Sequence, residues 1–245
     1  NALTTTESLK LYGGFAGPGD PIGSPGEASL QERHGSFQKT ILDGDIVGND
    51  TSGPPDYSDN AVHVVKIDGS SGGVHVVLDG FKIMHGYALG VVSPFPADDG
   101  GGVFCLDADL DVAHCFFEHN SAENGGGIWF SGATLPPPVQ FDYAGNRLTV
   151  RLCEFSEDVA DINGGAIYAE KLTDGWVLNT KFLGNHCAQK GGGVYLWRVK
   201  PTGFNFTNCV FWENHAHSFY GGALYMDEHS GFHGPAVSNV VNCTF

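Results

Sequence analysis

Gly164-Gly165-Ala166-Ile167-Tyr168 is a pentapeptide that this chain of 245 residues keeps returning to. The same order of two glycines, a small residue, an aliphatic residue and an aromatic residue recurs at Gly100-Gly101-Gly102-Val103-Phe104, Gly125 to Trp129, Gly191 to Tyr195 and Gly221 to Tyr225. Successive copies start 25, 39, 27 and 30 residues apart, so the unit is constant and the segments between units vary in length. A second signal precedes each of the last four copies: Phe117/Asn120/Ala122, Phe155/Asp158/Ala160, Phe182/Asn185/Cys187 and Phe211/Asn214/Ala216. Ile83/Gly86/Ala88 holds the same frame before the first copy, and Phe245 starts a further one. A unit this small cannot bury its apolar face alone, so successive units must stack.

Composition agrees with stacked strands. The 36 Gly and 12 Pro leave few windows in which a helix could run. The apolar residues are Val, Ile, Phe and Tyr in short runs bounded by Gly, Asn and Asp, which is the pattern of strands. Stacking at the strand spacing of about 4.8 Å predicts an all-β parallel solenoid. Its first coils and capping loops fall in 1–74 and its repeats in 75–245, as one continuous domain that stops midway through a repeat. Asn1 opens on a polar stretch without a basic leader, and the expectation is that processing or choice of fragment removed the true start.

Within each unit the residue two before Phe is Cys115, Cys153, Thr180, Cys209 or Cys243, on the same strand face as the Phe. Both are expected in the core. The residue before that is Asn at 179, 208 and 242, which predicts a ladder of amides at a repeated bend. Cysteines in neighbouring coils at one register, Cys115 with Cys153 and Cys209 with Cys243, are placed either for disulfides or as a column of buried thiols.

These motifs carry a resemblance. Gly-Gly-Ala-Ile at 164–167, Gly-Gly-Ala-Leu at 221–224 and Phe-x-x-Asn at 117–120, 182–185 and 211–214 resemble the paired repeats of polymorphic outer-membrane proteins, over roughly 75–245. Leu11-Tyr12-Gly13-Gly14-Phe15 and Thr40 to Asp45 resemble the first coils of bacterial surface proteins with such repeats. The resemblance implies a right-handed parallel β-helix of the pectin-lyase-like kind and an extracellular or cell-surface location. It carries no catalytic residue with it, because the shared motifs are structural.

The formal charge of −16, with 12 Lys and Arg against 28 Asp and Glu, argues against nucleic acid and anionic lipid as partners. No apolar run approaches the ~20 residues of a membrane helix. The motif's last residue forms an aromatic column, Phe104, Trp129, Tyr168, Tyr195 and Tyr225; the residue before it forms an aliphatic one. Adjacent strand residues face opposite ways, and the aliphatic column is the better core candidate. The aromatic column is then expected outside, to meet sugar rings or another subunit; the alternative stacks it inside. Asp107, Asp109 and Asp111 alternate along one strand, either to hold calcium or as a solvated acidic face; no cofactor is otherwise required. His215-Ala216-His217 is placed to chelate or simply to be exposed, and Asn49 and Asn205 head glycosylation sequons. The excursions at 16–39, 48–60 and 131–146 are expected to project or to cover the first coil, and long loops on rigid scaffolds carry recognition. The sequence thus favours an extracellular structural or adhesive module that assembles with itself, end to end or laterally, or binds cell-surface glycans. A polysaccharide lyase or glycoside hydrolase on the same scaffold is the alternative.

Overall fold

The computed structural model describes residues 3–15, 33, 40–50, 56–70, 72–90, 97–132, 145–199, 203–218, 220–227 and 239–245. The chain passes through four sheets in turn, and every pairing between strands is parallel. One coil runs Val103–Leu106 in sheet A, Asp109–Ala113 in sheet B, Phe116–Glu118 in sheet C and Ser121–Asn124 in sheet D. Ile128–Ser131 then re-enters sheet A, directly beside Val103–Leu106. Repeating that circuit gives seven strands in A, seven in B, six in C and four in D.

Later coils follow the same course. Sheet A continues with Ile167–Glu170, Val194–Trp197 and Leu224–Asp227, and sheet B with Arg147–Arg151, Asp174–Leu178, Phe204–Thr207 and Asn239–Val241. Sheet C continues with Glu154–Ser156, Lys181–Leu183 and Val210–Trp212, and sheet D with Val159–Asn163, His186–Cys187 and His215–Ala216. Earlier coils contribute Leu3–Thr5 and Val65–Asp68 to A, Leu9–Tyr12 and His75–Asp79 to B, and Ile41–Asp43 and Lys82–Met84 to C. The repeat motifs therefore align in vertical files.

Single residues in the left-handed region turn the corners. Between B and C these are His114, Leu152, Asn179, Asn208 and Asn242, with φ between 50 and 54°. Between D and A the corner is the first glycine of each motif, for example Gly164 at φ 65°. The second glycine serves a different need: a Cβ on Gly192 would lie 2.4 Å from the Gly222 carbonyl oxygen of the next coil, so only glycine allows that approach.

The interior is one continuous apolar core, filled from sheet A by the aliphatic file Val103, Ile128, Ile167 and Val194. From sheet C, Phe117, Phe155, Phe182 and Phe211 stack at centroid spacings of 4.5, 5.2 and 4.7 Å, and Phe245 follows Phe211 at 5.0 Å. These distances are the strand spacing itself, so each ring packs flat on the ring one coil away.

The corners differ in tolerance to length. From B to C and from C to D two residues always intervene in the four repeat coils, as between Ala113 and Phe116 or between Glu118 and Ser121. From A to B the chain crosses directly in one coil, Leu106 to Asp109, yet takes a long path from Ser131 to Arg147 and from Asp227 to Asn239. Most of the excursions foreseen at 16–39 and 131–146 lies outside the described residues. Arg33, from the first of them, pairs with Asp79 at 3.1 Å and donates to the Gly13 carbonyl at 3.0 Å.

Candidate functional site

The outward face of sheet A holds the aromatic column. Phe104, Trp129, Tyr168 and Tyr195 form an apolar cluster of their own, separate from the interior core, with Leu106, Trp197 and Tyr225 packed against it. The column thus points away from the interior, as strand alternation requires. It is nevertheless covered: the first four rings are only 1–8 % exposed. Phe104 lies 4.8 Å from Trp129, Tyr168 5.2 Å from Tyr195, and Tyr195 5.8 Å from Tyr225. Rings this close spend their faces on one another, which leaves no room for a guest ring between them.

The next outward position along the same strands carries polar partners. Tyr168 donates its hydroxyl to Glu170 Oε2 at 3.2 Å, and Glu170 Oε1 accepts from Ser131 at 2.8 Å and from Lys171 at 2.6 Å. Glu170 is buried, and its charge is matched by the lysine. One rung further, Tyr195 donates to Asp227 Oδ2 at 3.3 Å, and Lys190 pairs with the same carboxylate at 3.1 Å while lying 4.9 Å over the Tyr225 ring. Burial, with the neighbouring carboxylates, pushes both Tyr168 and Tyr195 hydroxyls up. This alternation of tyrosine, carboxylate and lysine was not anticipated from sequence. Its signal was there, since Tyr168 and Glu170 are two residues apart and share a strand face.

The three aspartates do not act as one set. Asp107 sits at the corner between sheets A and B with φ 54°, and burial raises its pKa. Asp109 accepts the Arg147 backbone N–H at 2.9 Å, whereas Asp111 pairs with His75 Nε2 at 2.9 Å. His215 and His217 have rings 4.7 Å apart, with His186 5.8 Å from His217. Among the described residues no group of three His, Cys, Asp or Glu side chains is placed to hold a metal ion.

All six cysteines are unbridged in the structure. Cys115 and Cys153 stand in register beside the paired Phe116 and Glu154, and the Cys209 backbone N–H lies 3.4 Å from the Cys243 sulfur. Each thiol of Cys115, Cys153 and Cys209 points at a backbone carbonyl of its own bend, at 3.2 to 3.4 Å. Burial pushes the Cys115 thiol up to about 12 and Cys209 up to about 11. Asn205 lies within a strand of sheet B, half-buried, and accepts the Asn239 side-chain amide at 2.8 Å. Asn49 is half-buried beside Asp45, which accepts its backbone N–H at 3.2 Å.

One cleft of about 320 Å³ lies on the outward face of sheet C, lined by Lys82, Phe116, Phe117, Glu118, Glu154 and Ser156. Glu118 and Glu154 are one strand apart and two residues offset, a backbone separation of roughly 8 Å. Each is held in an ion pair, Glu118 with Lys82 and Glu154 with Lys181.

No protein family, curated protein or solved structure matches this chain. Its chemistry is therefore read from its own residues. Among those described, no helix is long and apolar enough to cross a membrane.

Proposed function

We propose that the chain is a right-handed parallel β-helix of the pectin-lyase-like kind that serves outside the cell as a structural and adhesive module. The carrying observation is the division of labour between corners. Two corners of every repeat coil are fixed at two residues, whereas the corner between sheets A and B ranges from the two residues 107–108 to the long segment 132–146, and the corner between D and A varies less, from 125–127 to 217–223. A rigid stack that lets its chain lengthen most along one edge is built to present segments from that edge, and such segments carry recognition on rigid scaffolds. The recurring residues support the same reading, because rings, amides and glycines alike are spent on neighbouring coils. Cell-surface glycans or a second copy of the chain are the partners this edge would meet.

The test is to replace 133–144 by a short linker and compare binding to an array of neutral and acidic oligosaccharides and self-association by sedimentation. Loss of binding or of self-association with an unchanged circular dichroism spectrum is expected. Retention of both by the shortened chain would overturn the reading.

The cleft on sheet C gives the hydrolase reading a foothold. Glu118 and Glu154 line the same cleft, and a pair of carboxylates flanking one site is what a glycosidase needs. Each carboxylate is engaged by a lysine, Glu118 by Lys82 and Glu154 by Lys181, so neither meets a substrate without giving up its partner. Release of reducing sugar from a polysaccharide that is lost in E118Q and E154Q would make the enzyme the better reading.

A further inference from the structure

Behind the corner between sheets C and D runs a column of side chains: Asn120, Asp158, Asn185 and Asn214. Each Oδ1 accepts the backbone N–H of the equivalent residue one coil earlier: Gly86 to Asn120 at 3.0 Å, Asn120 to Asp158 at 3.0 Å, Asp158 to Asn185 at 3.1 Å and Asn185 to Asn214 at 3.1 Å. Each asparagine Nδ2 donates backwards to the carbonyl of the stacked core residue: Asn120 to Ile83 at 3.1 Å, Asn185 to Phe155 at 3.0 Å and Asn214 to Phe182 at 2.8 Å. The same amides reach forward, Asn120 to Asp158 Oδ1 at 2.9 Å and Asn185 to Asn214 Oδ1 at 2.8 Å.

Asp158 obeys this geometry with the wrong atom. Its Oδ1 does what the asparagine Oδ1 atoms do, so the register puts Oδ2 where the others carry the amide nitrogen. Since Asn120 and Asn185 aim that nitrogen at the core carbonyl of the coil before and at Oδ1 of the coil after, the same register aims Asp158 Oδ2 at two acceptors, the Phe117 carbonyl and Asn185 Oδ1. Oδ2 is buried and has no hydrogen-bond donor, and the whole residue is inaccessible to solvent. A bare carboxylate oxygen against two oxygens is repelled by both; a hydroxyl in the same place donates to one of them.

We propose that Asp158 is held as a neutral carboxylic acid, and that its proton completes the hydrogen-bonded column as an asparagine amide does in the neighbouring coils. Among the described residues no cation pairs with the carboxylate. Glu118, of the same sign, is the charge that acts on it, and Glu118 is itself paired with Lys82 and lies 3.6 Å from His119 Nδ1. His119 also pairs with Glu157 at 2.9 Å on the exposed side of the corner, and His186 follows Asn185 in the next coil with its own pKa lowered by burial. On the sheet A side the wall is Gly127, where an added Cβ would stand 3.0 Å from Oδ2. Burial pushes the Asp158 carboxyl up to about 8, Glu118 adding to the shift and the donors of Asn120 opposing it.

The sign follows from linkage. The folded state keeps a proton that the unfolded chain releases near its ordinary carboxylate value. The stabilisation is complete below about pH 4 and falls away as pH rises to about 8. D158N supplies permanently the donor that the proton supplies conditionally. The ratio of D158N to wild-type folding constants, from urea unfolding of the full chain, is expected to rise about tenfold per pH unit between roughly pH 4.5 and 7.5. A ratio that does not change with pH would overturn the proposal. Infrared spectra of the ¹³C-aspartate-labelled D99N/D107N protein at pH 6.5, which lacks the two other described aspartates whose pKa burial raises, give a reading independent of any change at 158: a protonated-acid carbonyl band is expected. Its absence would likewise overturn the proposal.

Discussion

Asn208 donates its side-chain amide to Asn179 Oδ1 at 3.1 Å, and the two residues hold the same left-handed backbone, φ 54 and 50°, one coil apart. Asn242 extends the ladder by donating to Asn208 Oδ1 at 2.6 Å. Asparagine suits this corner twice over, since it tolerates the left-handed region and its amide finds an identical neighbour one strand spacing away.

Leu152 holds that corner one coil earlier, at φ 54°, with a side chain that is 48 % exposed. L152N gives up little burial, relieves the backbone and adds a rung facing Asn179. It is expected to gain about 1 kcal/mol, read as a rise in the thermal midpoint of a few degrees. The converse change, N179L, should lower it.

The phenylalanine file is continuous, so a gap in it is not easily closed. Phe182 is stacked from both sides and wholly buried. F182A is expected to cost about 3–5 kcal/mol in urea unfolding, and F182L much less. Trp129, though on the outward face, is 1 % exposed; W129A should be similarly costly, which separates a packing role from a purely ligand-facing one.

Asp99 and His63 oppose one another in acid. Burial pushes the Asp99 carboxyl up to about 7, with Asn124 donating to its Oδ1 at 2.9 Å and Asp98 and Glu123 adding repulsion. Its proton stabilises the fold below about pH 4, and that contribution is lost as pH climbs to about 7. His63, buried with Nδ1 3.0 Å from the Gly100 carbonyl, has its pKa lowered by burial. It favours the fold above its ordinary value near 6.5 and withdraws that support as pH falls. D99N should therefore flatten the decline between pH 4 and 7, and H63F should remove a loss of stability on the acid side, both read from thermal midpoints against pH.

Native thiol reactivity should be graded. Cys115, Cys153 and Cys209 are buried with thiols held above the ordinary range, whereas Cys243 is half-buried. Titration with an aromatic disulfide reagent at pH 8 is expected to label Cys243 first and the others only after unfolding. Intact mass with and without reductant counts the thiols and detects any bonded pair.

Much of the architecture was legible because each recurring residue does one job at one corner or face. Phe117, Phe155 and Phe182 stack inside, Asn179, Asn208 and Asn242 form their ladder, and the aliphatic file fills the core, all at the register that spacing implies. The outward column was harder. Alternation gives the direction of Tyr168 and Tyr195 but not their burial, because burial depends on how closely the rings of neighbouring coils stack on them. The aspartates illustrate a second limit: sequence places Asp109 and Asp111 on one face, while their partners, the Arg147 backbone and His75, come from the coils on either side. Asp158 stood in plain view as the one acid in an asparagine register, yet its protonation follows only from which atoms surround it.

Sheet D has a mechanical consequence. Its strands are four and five residues long at Ser121–Asn124 and Val159–Asn163 and two at His186–Cys187 and His215–Ala216. Pulled along its axis, each junction between coils is held by its sheets side by side, and sheet D holds least: one bridge between Tyr87 and Ser121 and two residue pairs at each of 159–160 to 186–187 and 186–187 to 215–216, against four between Ile167–Glu170 and Val194–Trp197. Under load the stack should therefore gape open along the sheet D side, hinging on sheets A and B, as a book opens on its spine.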